Sequence, residues 1–154
     1  MKIKEIKSHK KQYLSLLLLA DEQEDMIDRY LERGTMYVLE DGGVKAECVV
    51  TDEGDGILEI KNIATDPDWQ GMGYGKALME YIAEQYSGVY SVLQVGTGDS
   101  PLTIPFYEKC GFARSHIIPN FFTDNYDHPI IEDGVQLVDM VYLRRKIGIS
   151  KEAL

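Results

Sequence analysis

Hydrophobic and polar positions along the chain alternate in blocks that change period several times. Ile3, Glu5 and Lys7 fall in the alternating register of a half-buried strand, and the apolar run Leu14 to Leu19 reads as a buried helix. "DEQED" follows and opens a second helix, its acidic first turn matched to the positive helix end. "TMYVLEDGGVKAECVV" predicts a hairpin, because Asp41-Gly42-Gly43 supplies the positive φ angles of a tight turn. In "GILEIKNIATDP" strict alternation puts Leu58, Ile60 and Ala64 on one face and Glu59, Lys61, Ile63 and Thr65 on the other. Asp66-Pro67 ends that strand. From Gly71, helical spacing carries Gly75, Leu78, Met79, Ile82 and Tyr86 to a stop at Ser87-Gly88. "VYSVLQV" is a strand, "SPLTIPFYEKCGF" a short helix leading into another, and "VQLVDMVYLRR" the closing strand. This order predicts a mixed α/β (α+β) fold, a mixed sheet with helices on its faces. Ile118 to Gly134 is long for a loop and reads as a functional flap or a local addition.

A chain of 154 residues, 44% of them hydrophobic, suits one globular domain over its whole length. The N-terminal lysines followed by Tyr13 to Ala20 imitate a secretory signal. The run meets Asp21 and Glu22 without a small-x-small cleavage site and is too short to span a bilayer, so a cytoplasmic protein without a membrane partner is expected. With only Cys48 and Cys110, neither a disulfide framework nor a zinc quartet can form, and both are expected as reduced, buried thiols. His9, His116 and His128 are too scattered for a metal site. A formal net charge of -10 argues against a broad nucleic-acid surface. It fits either ordinary solubility or attraction of a cationic substrate, the latter also suggested by "DEQED" and by Asp124 to Asp133.

The chemistry concentrates in "ATDPDWQGMGYGKALMEYI", where Gly71, Gly73 and Gly75 precede and open a helix. A helix N-terminus presents unpaired N–H groups and partial positive charge, and glycines let an anion come close. A Walker loop needs Gly at position 70 and a hydroxyl after Lys76, but Gln70 and Ala77 stand there. The dinucleotide fingerprint fails on spacing. What remains is Q-x-x-G-x-G at Gln70, Gly73 and Gly75.

With that motif the chain resembles the GNAT acetyltransferases, which move an acetyl group from acetyl-CoA to an amine. The family's N-x-x-A frame, aromatic helix and G-F pair fall on Ser100, Thr103, Phe106, Tyr107, Gly111 and Phe112. The matched stretch runs from Leu58 to Phe112, and "NFFTDNYDHPIIEDGVQLVDMVYL" is similar to the tail of a bacterial subgroup. The resemblance implies a GNAT fold with six to seven strands in the central sheet. It implies acetyl-CoA as donor, its pyrophosphate on the amides of Gln70, Gly71, Met72, Gly73, Tyr74 and Gly75, with Lys76 in reach of a phosphate. The pantetheine arm would pair with the backbone of Ile63, Ala64 and Thr65, and Ser100 stands where the family's Asn contacts that arm. Pro105 is tolerated if Thr103 caps the helix.

Acyl transfer to an amine needs a deprotonated nucleophile, a polarised thioester carbonyl and a proton for the thiolate. Tyr107 is the candidate general acid, weighed against a purely packed aromatic between Phe106 and Phe112. Glu59 is the candidate base, directly or through water, weighed against a carboxylate merely paired with Lys61; Gln94 lies where some relatives carry an acid, and an amide cannot serve. Acceptors left open are small amines and peptide or protein amines; a homodimer would suit many relatives. The competing reading is a non-catalytic acyl-CoA-binding sensor.

Overall fold

A computed structural model describes residues 1–148; the end of the expected single unit, 149–154, lies outside the described residues. The chain runs β1 (Lys2–Ile6), α1 (Leu14–Ala20), α2 (Glu24–Ile27), β2 (Thr35–Glu40), β3 (Val44–Asp52), β4 (Ile57–Thr65), α3 (Tyr74–Gln85), β5 (Val92–Gly98), α4 (Ile104–Lys109), β6 (Ala113–Ile118), α5 (Phe121–Asn125), β7 (Ile131–Glu132), β8 (Val135–Gln136) and β9 (Met140–Lys146). Seven strands form one mixed sheet in the order β1-β2-β3-β4-β5-β9-β6, and β7 and β8 pair separately. The expected closing strand is therefore two elements: its first residues turn back in the small β7–β8 hairpin, and β9 begins at Met140.

Alternation along the central strands builds a core on each face. Tyr37, Leu39, Ala46, Cys48, Val50, Leu58 and Ile60 pack with Leu78, Met79 and Ile82 of α3 and Tyr107 of α4. Met36, Val38 and Val49 point the other way, onto Leu17 and Ile27 of α1 and α2. Complete burial of Leu78, Met79 and Ile82 stabilises the fold by about 2 kcal/mol each, which holds α3 to the sheet. Lys10, one of the signal-like N-terminal lysines, is buried and donates from Nζ to the carbonyls of Leu31 and Gly34 at 2.8 and 2.7 Å, closing the turn after α2.

Two irregularities position the site. β3 and β4 pair Val49 with Asn62 but Val50 with Ile60, so Lys61 is an extra, bulged residue. One extra residue reverses the faces beyond it. Ile63 and Thr65 therefore lie opposite Cys48 and Ala46 on the α3 face, whereas Glu59 and Ala64 lie opposite Thr51 and Glu47 on the α1 face. The face assignment from strict alternation is thus corrected: Glu59 does not face the same way as Ile63 and Thr65, nor Ala64 the same way as Leu58 and Ile60. The second irregularity is that parallel pairing of β4 with β5 covers only Ile57–Ile60 against Val92–Val95. Beyond that point the two strands share no pairing, and Lys61–Thr65 and Gly96–Gly98 border an open cleft.

Candidate active site

A groove of about 670 Å³ runs along this cleft, from the mouth of α3, past α4, to the connection between α1 and α2. Its helix mouth is built from backbone. Gly71 and Gly73 have φ of 82 and 86°, the left-handed region that favours glycine, and a Cβ at either would meet nothing within 4 Å. Gly73 caps α3, no acidic side chain occupies the first turn, and Gln70 to Gly73 are exposed, so the free amides face open space. Gln70 ties the tract to the strand by donating from Nε2 to the Thr65 carbonyl at 3.3 Å. Tyr74 turns inward, its hydroxyl donating to Asp41 Oδ2 at 2.6 Å. The helix begins at Tyr74, not at Gly71, because the left-handed glycines cannot continue a right-handed turn.

Of the residues singled out from sequence, Ile63, Ala64, Thr65, Gln70, Gly71, Gly73, Tyr74, Gly75, Lys76 and Tyr107 all line this groove. Met72 is exposed outside it. Ser100 is 2% exposed, and its hydroxyl accepts the Leu102 N–H at 3.1 Å; Leu102 and Thr103 take its place on the groove wall. The assignment of Ser100 to the arm is corrected on that ground, since a buried side chain outside the groove lining is not placed to meet a ligand there. Thr103 does cap α4, with Pro105 harmless in the first turn, and its hydroxyl bonds that of Thr97 at 2.8 Å.

Tyr107 is buried among Phe106 and Phe112, both edge-on to its ring. Burial, followed by the neighbouring Cys48, Glu132, Cys110 and Glu47, pushes its phenol well above the ordinary range. It is a hydrogen-bond donor at all working pH values. Glu59 has a different setting. Its Oε1 accepts from Gln94 Nε2 at 2.6 Å and its Oε2 pairs with Lys61 Nζ at 2.8 Å, while Gln94 Oε1 accepts from Arg144 Nε at 2.9 Å. This chain crosses β4, β5 and β9. Glu59 lines not the groove but an adjoining pocket of about 260 Å³ with Arg29, Tyr30 and Tyr142. That pocket and the groove share Asp21, Ile60, Lys61, Gly96, Tyr126 and Met140.

The segment after β6 completes the wall. Asn120 N–H donates to Asp139 Oδ1 at 2.8 Å, which closes the ends of a flap with its own small core of Phe122, Ile130 and Leu137. Gly98 lets it dock: a Cβ there would lie 2.5 Å from Leu137 Cδ1. On the far side Tyr126 and Tyr30 both donate to Asp21, at 2.6 and 2.9 Å. Desolvation raises the Asp21 carboxyl in spite of these two phenols. Asp21, Tyr126 and Glu132 lie in the two acidic segments that suggested a cation, but the sequence singled out none of them, since nothing local marks residues that meet only across the fold.

The profile of the Acetyltransferase (GNAT) domain matches residues 32–114. The chain belongs to the GNAT acetyltransferase family. The GNAT chain is 38% identical over 131 residues to the "Uncharacterized N-acetyltransferase YvbK" of Bacillus subtilis, covering 83% of this chain and 84% of that protein. Its fold superposes with a TM-score of 0.89 on a GNAT family acetyltransferase from Elizabethkingia anophelis solved with acetyl-CoA bound, at 32% identity over 94% of this chain and 97% of the other. A structure described as IAA acetyltransferase from Bacillus cereus gives a TM-score of 0.87 at 38% identity, covering 94% and 98%. The seven-stranded mixed sheet of this GNAT chain accords with these neighbours. Among its described residues no helix is long and apolar enough to cross a membrane, and no cluster of His, Cys, Asp or Glu could hold a metal ion.

Proposed function

We propose that this acetyltransferase binds acetyl-CoA along the groove and passes the acetyl group to a primary amine by direct attack in a ternary complex. The observation that carries the reading is the placement of three features on one cleft: an open, glycine-lined helix mouth, an unpaired strand edge and a buried tyrosine. The residues present fit the donor. Free amides from Gln70 to Gly75, in a tract with no side chain in front of Gly71 and Gly73, suit a diphosphate, and Lys76 adds a mobile cation at the rim. The cleft edge of Lys61–Thr65 offers backbone groups to the amides of an extended arm. Acetyl-CoA supplies the activated acyl group as a thioester.

The chain's own residues then have distinct tasks. Backbone N–H groups at the end of β4 polarise the carbonyl, a donor arrangement that needs no side chain. Tyr107 donates a hydrogen bond to the departing sulfur; its raised phenol makes such a bond a better description of its task than full ionisation. Each carboxylate oxygen of Glu59 already has a partner, Gln94 or Lys61, so it orients Lys61 at the junction of groove and pocket and influences the amine through that pair or an intervening water.

Release of free thiol from acetyl-CoA across a panel of small amines, amino-terminal peptides and lysine peptides tests the reading, preceded by thermal shifts with coenzyme A, ATP and NAD. Coenzyme A should stabilise the protein selectively, and preferential stabilisation by ATP would overturn the donor. Tyr107→Phe separates an enzyme from a coenzyme-binding sensor. Turnover with the best amine should fall about 100-fold or more with coenzyme A affinity retained. Unchanged turnover removes the acid role.

A further inference from the structure

We propose that Glu132, on the flap, is the carboxylate that receives the acceptor ammonium and takes its first proton. This rests on the reading of the groove as an acetyl-transfer site. The groove is lined by three acidic side chains, Asp21, Glu22 and Glu132. Asp21 already accepts two phenol hydrogens, and Glu22 faces His128 Nε2 at 3.0 Å on the outer surface. Glu132 differs. Its Oε2 is buried and has no hydrogen-bond partner.

A buried carboxylate oxygen without a donor is costly, and the cost is recovered when a donor arrives, most fully when that donor is a cation. The groove's own cations do not supply it. Lys61 is paired with Glu59, and Lys76 is at the α3 mouth. The phenols of Tyr74 and Tyr126 are spent on Asp41 and Asp21. The remaining phenol is Tyr107, which lines the same groove; burial does most to raise it, and the Glu132 charge adds to that. Glu132 therefore lines the same groove as the proposed sulfur-side donor, with an oxygen left for a charged partner that comes from outside. An amine near pKa roughly 10.4 enters as ammonium at neutral pH and is such a partner.

The step balances. The ammonium gives one proton to Glu132, and the freed lone pair forms the C–N bond as the C–S bond breaks. The nitrogen's second proton ends on the sulfur, whose departure is assisted by the hydrogen bond from Tyr107. Glu132 returns its proton to water, so the products are an amide, a thiol and one released proton.

Glu132→Gln keeps the volume and removes the charge. Its thiol-release rate at neutral pH, as kcat/KM for the best amine, should fall about 100-fold, the usual scale of a lost proton acceptor. The deficit should shrink as pH rises toward the free amine's pKa, because the substrate then arrives already deprotonated. The midpoint for coenzyme A in a thermal titration should stay within twofold of the unmodified protein, and Glu132→Asp should recover part of the rate. Unchanged kcat/KM in Glu132→Gln, or a pH-independent deficit, would overturn the assignment. So would a large loss of coenzyme A affinity, which would make Glu132 a partner of the donor's amide arm. Failure of the unmodified protein to turn over any amine would instead remove the underlying reading, an outcome visible before any variant is made.

Discussion

The mouth of α3 and the flap after β6 are the two ends of one groove, and they are built in opposite ways. At the mouth the groove-facing groups are peptide N–H groups, and side chains matter by their absence at Gly71 and Gly73. On the flap the groove-facing groups are side chains, Phe122, Tyr126 and Glu132, held by a small private core and a tyrosine bond to Asp21 more than 100 positions upstream. Backbone recognition depends on a short run of sequence and suits a donor whose chemistry never varies. Side-chain recognition assembled across the sheet can be changed without disturbing the donor end, and it suits the variable partner, the acceptor.

The contrast can be broken from either end. The largest effect is expected at the mouth. Gly73→Val forces a β-branched residue into the left-handed region and puts methyl groups in front of the free amides. Coenzyme A affinity, measured by titration calorimetry, should drop at least tenfold while the amine dependence at saturating acetyl-CoA is preserved. Equal loss on both axes would mean that the two ends are not separable.

An intermediate effect is expected at the flap's anchor. Tyr126→Phe removes a hydrogen bond to a desolvated carboxylate, worth about 1.5 kcal/mol, so KM for the amine should rise roughly tenfold with coenzyme A affinity unchanged. A change confined to coenzyme A binding would reverse the division of labour.

The smallest effect lies under both regions. Glu47 of β3 is fully buried and neither of its carboxylate oxygens has a partner; burial alone raises its carboxyl well above the usual range. Because the folded value lies above the unfolded one, the protonated carboxyl favours the fold at low pH, and that contribution is lost as pH rises toward the folded value. Glu47→Gln should therefore melt near the parent temperature at about pH 4 and above it at pH 7 and 8, the gap widening with pH. Melting curves across that range check it; a gap that narrows would mean an unseen cationic partner.

Much of the fold was legible from pattern. The hairpin at Asp41-Gly42-Gly43, α3, the Thr103 cap and the mixed sheet follow from local spacing, and so does the open helix mouth, because glycine spacing reports backbone geometry directly. The bulge at Lys61 was not legible. Nothing in "LEIKNIAT" marks it, since a bulge is decided by how two strands accommodate each other, and it moved Glu59 to the far face from Ile63 and Thr65. Ser100 failed for a related reason: its hydroxyl satisfied a neighbouring turn.

Sequence alone determined the main strands and the α3 helix of the sheet, the run of bare backbone at the helix mouth, and which family's frame the residues fit. These are properties of near neighbours in the chain, governed by steric limits and periodicity. Only the tertiary structure decided which carboxylates are spent and which, like Glu132 in the groove, keep an unpaired oxygen. A charge's usefulness depends on every donor within a few ångströms, and here those donors come from the turn after α2, from β4, from β5 and from the flap at once.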